Sequence, residues 1–276
     1  VLSSANSINF GRLAPQIAYY FSAYLDLVSS DQIEMGDRVN FAVPTGNFGN
    51  ILAAYYAMRM GLPIGKLVCA SNKNNILTDF IRTGVYDKRR DFYKTMSPSM
   101  DILISSNLER LLFEISGRDA ARVRALMDAL SKEGVYSLSD AEREKVQALF
   151  YGDFCGEDET VETIYEFFEE YQYPMDTHTA CAKYAADNYR AKNEKDHAPM
   201  VIVCTASPYK FPQDVMYAIT GNDIKDSFKA IKHLNIATAM KVPKSLAKLR
   251  DKPVRFTAVS DKDKLYSEVL KFVDRK

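Results

Sequence analysis

Between Arg38 and Pro63 the chain reads as a strand, a glycine-punctuated loop and a helix in direct succession. The run "RVNFAVP" is short, β-branched and aromatic, and it is bounded by Gly36 and Pro44, which predicts a buried strand. The loop "TGNFGN" turns the chain, and "ILAAYYAMRM" predicts a helix from about Asn50 to Met60, stopped at Gly61 with Pro63 beyond. A strand feeding a tight loop into a helix N-terminus gathers backbone N–H groups at the positive end of a helix dipole, and that is an anion site. Gly46 and Gly49 are expected to supply the bend and the close approach, and Asn47 and Asn50 the side-chain donors. The loop is not a Walker A motif, because no Lys-Ser/Thr follows the second glycine, and it is not G-x-G-x-x-G. Taken alone, a bare G-x-x-G leaves an ordinary turn open as an alternative.

The rest of the chain supplies company for this unit. From Arg12 to about Val28, Leu13, Ile17, Tyr20, Phe21 and Tyr24 recur at helical spacing, with Pro15 tolerated near the first turn. "KLVCAS" and "MDILIS" are short apolar runs ending in turn-prone residues and read as strands. After the second, Ser105 or Ser106 is expected to cap a helix carrying Leu108, Leu111, Leu112 and Ile115, closed by Gly117. From Asp119 to Tyr173 the pattern reads as helical throughout. There Val161, Ile164, Tyr165 and Phe168 form a stripe, and the neighbouring acids a solvated face. "PMVIVCTAS" supplies the last strand, and no domain boundary stands out. Short strands alternating with helices predict an α/β chain, a mostly parallel sheet with helices on both faces, whose ligands sit beyond the carboxyl ends of the strands.

Charge excludes some partners. Lys+Arg and Asp+Glu are equal at 36 each, so no net field favours nucleic acid or an anionic membrane, and Lys88-Arg89-Arg90 reads as a solvated loop. No apolar run approaches the roughly 18 residues of a membrane span. Cys69, Cys155, Cys181 and Cys204 contain no CxxC pair, which argues against zinc or disulfides and fits a reducing cytoplasm. Cys69 and Cys204 lie in apolar runs and are expected to be buried. With three histidines, none at ligand spacing, no metal site is expected.

Six segments follow one another as they do in threonine synthase of the bacterial and fungal type: "SANSINFGRLAPQIAYYF", "VPTGNFGNILAAYYAMRMGLPI", "SNKNNILTDFIRTGVY", "SPSMDILISSNLERLLFE", "PMDTHTACA" and "TASPYKFPQDV". The chain resembles that family over most of its length. The resemblance implies the fold-type-II (tryptophan synthase β-like) architecture and pyridoxal 5′-phosphate. It also implies conversion of O-phospho-L-homoserine and water to L-threonine and phosphate. On it, the anion is the cofactor's 5′-phosphate, with Gly46, Asn47, Phe48 and Asn50 forming its cup and Gly49 the bend. It further implies that the Thr205 hydroxyl meets the pyridine nitrogen. A neutral hydroxyl donates to an unprotonated nitrogen, where a carboxylate would hold it protonated. Without the resemblance Thr205 is a plain strand-end hydroxyl. Asn6 and Asn9 read as helix caps, to which the resemblance adds a substrate contact. Asp176 and Thr177 are candidate caps of a helix through Cys181. His178 is open between an active-site and a capping or supporting role, and His197 and His233 receive none.

The resemblance also demands a lysine that carries the cofactor as a Schiff base, set in the family's N-terminal half between a small residue and an acid. No lysine precedes the glycine loop, and Lys66, Lys73 and Lys210 are not expected to fill that role. The chain opens "VLSSANSINFGR", with neither an initiator Met nor a signal-peptide pattern. The expectation is therefore that residues 1–276 are the C-terminal portion of the catalytic region and are inactive alone. The lysine and most substrate-binding residues would lie in an absent N-terminal half. Two alternatives remain: a threonine-synthase-like phospho-lyase acting on a related phosphorylated substrate, and a non-catalytic phosphate- or nucleotide-binding module. A Rossmann dehydrogenase lacks its first-strand fingerprint here.

Overall fold

The computed structural model describes residues 9–255 and 257–274; Asn6 lies outside them. Their contacts cluster into two compact units, one up to Met240 and one from Lys241 onward. The first begins with α1 (Phe10–Leu13), a 3-10 turn at Ala14–Gln16 that absorbs Pro15, and α2 (Ile17–Ser29). Then come β1 (Val39–Pro44), α3 (Gly49–Arg59), β2 (Ile64–Ser71), α4 (Ile76–Thr83) and β3 (Val85–Asp87). The middle holds α5 (Leu108–Ile115), α6 (Ala120–Lys132), β4 (Val135–Ser137), α7 (Asp140–Leu149), β5 (Phe150–Phe154) and α8 (Glu157–Tyr171). The unit ends with α9 (Thr177–Lys192), β6 (Met200–Ile202), α10 (Pro212–Thr220) and α11 (Ser227–Thr238). The second unit holds α12 (Lys244–Ala247) and α13 (Leu265–Val273), the latter with no buried side chain.

Four strands form one parallel sheet in the order β5-β2-β1-β6, while β3 and β4 pair antiparallel. Strand period 2 separates the faces. Phe41, Val43, Leu67 and Cys69 point into the larger core, with Ile51 and Leu52 of α3, Phe80 of α4 and Leu111 of α5. Ala42, Val68 and Ala70 point the other way, onto Ala182, Ala185 and Ala186 of α9. Small residues on both sides of that contact let α9 pack across all four strands. The helix leaving β1 thus lies on one face and the helix entering β6 on the other. The crevice between the carboxyl ends of β1 and β6 is the switch point at which such sheets bind ligands.

Three expectations are corrected. "MDILIS" forms no strand: Pro98–Met100 is a 3-10 turn, and the following residues run irregularly to α5. The cap position of α5 is Asn107, not Ser105 or Ser106. The region from Asp119 to Tyr173 is not all helix, since β4 and the sheet-edge strand β5 interrupt it.

Candidate active site

A cleft of about 690 Å³ opens at this switch point, lined by the loop from Pro44 to Asn50, by Val203–Thr205 after β6, and by Ser99, Met100 and His178. Arg12, Gln16 and Tyr19 also line it.

Four carbonyls of the loop are occupied by protein donors. Gly46 O accepts from Ser105 Oγ (2.8 Å), and Asn47 O accepts from the backbone and side-chain nitrogens of Asn107 (3.1 and 2.9 Å). Phe48 O accepts from Leu52 N (3.1 Å), and Asn50 O from the Tyr20 hydroxyl (3.0 Å). Ser105 is itself held by its N–H donating to Tyr86 Oη (2.9 Å), whose ring stacks on Tyr136 across β3 and β4. No acceptor among the described residues takes the amides of Gly46, Asn47, Phe48, Gly49 or Asn50. Peptide units whose oxygens are tied back leave their N–H groups for an anion, at the first turn of α3.

The bend is made differently from the expectation. The left-handed residue is Phe48, the N-cap of α3 (φ 62°), and neither Gly46 nor Gly49 has positive φ. A non-glycine residue in this region costs about 1–3 kcal/mol and persists only where packing over-determines it. Here the Phe48 ring is buried and lies 5.6 Å from that of Phe150. A left-handed residue directly ahead of a helix redirects the chain so that neighbouring amides can face one concavity, as in an anion nest. Gly46 is required for a different reason: a Cβ there would sit 2.7 Å from Ser99 O and 3.2 Å from Met100 Cα.

The opposing wall is pinned through His178. Asp176 caps α9 by accepting from the His178 and Thr179 amides, as expected. His178 Nε2 accepts from Ser99 N (3.1 Å), so Nδ1 carries the proton and donates to Asp176 Oδ1 (3.2 Å). The ring is buried and packs 4.8 Å from Phe211. His178 thus lines the cleft and holds the Ser99 turn against Gly46, a supporting role.

Thr205 is exposed at the cleft, three residues past β6, and its hydroxyl has no protein partner among the described residues. Cys204 beside it is exposed, against expectation, because the strand ends at Ile202. Asn9 is the cap of α1, accepting from Gly11 N (2.9 Å), and is not among the cleft-lining residues. Arg12, Gln16, Tyr19 and Ser99 were not singled out from sequence. Arg12 carried a readable signal, as the lone charge between Phe10 and Leu25.

No lysine lines the cleft among the described residues. Lys66 lies near the opposite end of β2, donating to the Gln147 and Ala148 carbonyls (3.1 and 2.7 Å), and burial lowers its pKa. Lys73 stacks on the Tyr93 ring (4.2 Å) and Lys210 on Phe211 (5.2 Å).

A parallel sheet with helices on both faces and this switch-point cleft is the architecture of fold-type-II pyridoxal-phosphate proteins, and solved threonine synthases superpose on it. The pyridoxal-phosphate-bound threonine synthase from Brucella melitensis matches with a TM-score of 0.83 at 38% identity, over 100% of this chain and 53% of that one. Threonine synthase from yeast matches at 0.82 and 30% identity, over 98% of this chain and 54% of that one. The family model described as "Threonine synthase, C-terminal" matches residues 179–273. In sequence, the human protein "Threonine synthase-like 1" is 46% identical over 228 residues, 82% of this chain and 30% of that protein. "Threonine synthase" from Pseudomonas aeruginosa is 41% identical over 220 residues, 80% of this chain and 45% of that protein. The chain thus matches threonine synthases in sequence and in structure, over a C-terminal portion of them. It spans less than half the length of these curated relatives.

Proposed function

We propose that these residues form the cofactor-phosphate half of a pyridoxal-phosphate-dependent threonine synthase. The observation carrying this reading is the cleft itself: the amides from Gly46 to Asn50 and the Thr205 hydroxyl, all without a partner among the described residues, line the same space. The donor set fits a phosphate monoester, which needs several N–H groups and no competing carbonyl. When bound, pyridoxal phosphate supplies the electron sink for chemistry at the substrate's α and β carbons. The chain's own residues hold and orient it. The Gly46, Asn47, Phe48 and Asn50 amides take the phosphate, Gly49 begins the helix behind it, and Thr205 donates to the pyridine nitrogen. Met100 and Val203 give the cleft apolar walls that limit water. The substrate contact that the resemblance implies for Asn6 and Asn9 is carried by that resemblance alone, since Asn9 caps α1 outside the cleft lining.

The whole protein would convert O-phospho-L-homoserine and water to L-threonine and phosphate in the cytoplasm. A preceding half would supply the cofactor-carrying lysine and most substrate contacts, and the 276 residues alone would be inactive. A phospho-lyase acting on a related phosphorylated substrate is a second reading, favoured by the 46% identity to threonine synthase-like 1. Phosphate and threonine release from O-phospho-L-homoserine tests both, with the chain alone and with the chain co-expressed beside its upstream half. Both products in the reconstituted sample alone support the synthase. Phosphate without threonine supports the lyase, and turnover by the unaided chain overturns the division of the site.

A further inference from the structure

We infer that Tyr20 is a positioning residue of the anion cup, which fixes the Asn50 carboxamide with its nitrogen toward the bound phosphate. This rests on reading the loop as a phosphate cup and adds how one of its donors is oriented. Asn50 sits in the first turn of α3 and lines the cleft. A side-chain amide there can present either end, and the two ends have opposite consequences. The nitrogen donates to an oxyanion, whereas the oxygen repels it.

Tyr20 decides between them. Its hydroxyl lies 2.6 Å from Asn50 Oδ1 and 3.0 Å from Asn50 O. A 2.6 Å contact falls within the range of O–H···O bonds and below that of N–H···O bonds, so the amide oxygen faces the phenol. Nδ2 is then turned away, with no protein acceptor among the described residues. The phenol cannot drift: Tyr20 is 2% exposed, and its ring packs edge-on against Phe41 of β1 at 5.1 Å. Burial also raises the phenol's pKa, which keeps it a donor at physiological pH. One side chain of α2 therefore ties together the strand that enters the loop, the carbonyl of Asn50 and the direction of its amide.

The test compares three ligands on the complete apoprotein, its Tyr20→Phe variant and its Asn50→Ala variant: inorganic phosphate, pyridoxal 5′-phosphate and pyridoxal, by titration calorimetry. Removing one hydrogen-bond donor from an otherwise unchanged ring is expected to weaken phosphate and pyridoxal phosphate about fivefold. Affinity for pyridoxal, which has no phosphate, should not change. Asn50→Ala should show the same selectivity, and Tyr20→Phe added to it should cost nothing more. Parent affinity for both phosphates in Tyr20→Phe would overturn the inference, as would an equal loss for all three ligands, the mark of a merely structural role. Should the parent chain bind neither phosphate, the cup itself would be refuted and the inference with it.

Discussion

Replacing Gly46 by alanine isolates the contact between the loop and its opposing wall. The new Cβ would lie 2.7 Å from Ser99 O and 3.2 Å from Met100 Cα, where relaxed contacts need about 3.5 Å. Both are backbone atoms, and neither can swing aside. Ser99 is held by its N–H bond to His178 Nε2, and Met100 N by the Ser97 carbonyl (3.0 Å). Gly46 has no positive φ, so the penalty is steric and not conformational. Overpacking of this kind costs about 1–3 kcal/mol, and on a unit of this size each kcal/mol lowers Tm by about 2–4 °C. Thermal unfolding of Gly46→Ala should therefore fall by about 2–12 °C. Phosphate affinity should drop with it, because relief by moving the loop would strain the Ser105–Gly46 bond (2.8 Å) that sets the amide direction. Gly61→Ala is the control, since Gly61 has φ +105° and nothing within 4 Å of an added Cβ. It should lose stability through backbone strain and leave phosphate affinity alone. A Gly46→Ala protein with parent Tm and parent phosphate affinity would refute the reasoning.

Thr205→Ser should retain pyridoxal phosphate affinity, while Thr205→Val should weaken it about two- to tenfold by removing one donor; absorbance titration checks both. Glu142 accepts from Arg122 (2.8 and 3.1 Å) and from Ser139 N in a capping box, and Arg122 holds its pKa at about 2 instead of 4.5. Because the folded value is the lower one, this stability is present above pH 4.5 and is lost as pH falls from there toward about 2. Acid unfolding should be flatter across that window in Glu142→Gln, which should cost about 1–2 kcal/mol at pH 7, since Arg122 is partly solvated. With a thiol reagent, Cys204 should react fast in the native chain. Cys69, Cys155 and Cys181 are buried, the Cys69 thiol being pushed up to about 12 by burial, and should react only on unfolding.

The parts of the fold legible in the sequence were those with strong local grammar. The β1–loop–α3 unit, β2, α2 and the Asp176 cap each had an apolar period and a punctuating residue at its end. β5 escaped because "FYGDF" lacks a β-branched run and follows α7 with no intervening residue, so nothing marks the change from period 3.6 to period 2. "MDILIS" misled in the opposite sense. Met100 and Ile102 pack from an irregular segment while Ile104 is exposed; Met100 walls the cleft and Ser105 reaches Gly46 in place of capping a helix. Within the site, the residue types were readable but the geometry was not. Two glycines drew attention away from Phe48, whose left-handed turn depends on Phe150, about a hundred positions away in the chain. Long-range contacts of that kind, like His178 on Ser99, leave no trace in local spacing.

The central claim is that the cofactor's phosphate is held in this chain while the lysine that carries it lies elsewhere. Borohydride reduction of the complete protein with pyridoxal phosphate, followed by peptide mapping, tests it most directly. The account predicts one stoichiometric label on a lysine outside these 276 residues, and its loss when the Gly46 loop is disrupted. Stoichiometric label on Lys66, Lys73 or Lys210 would contradict it.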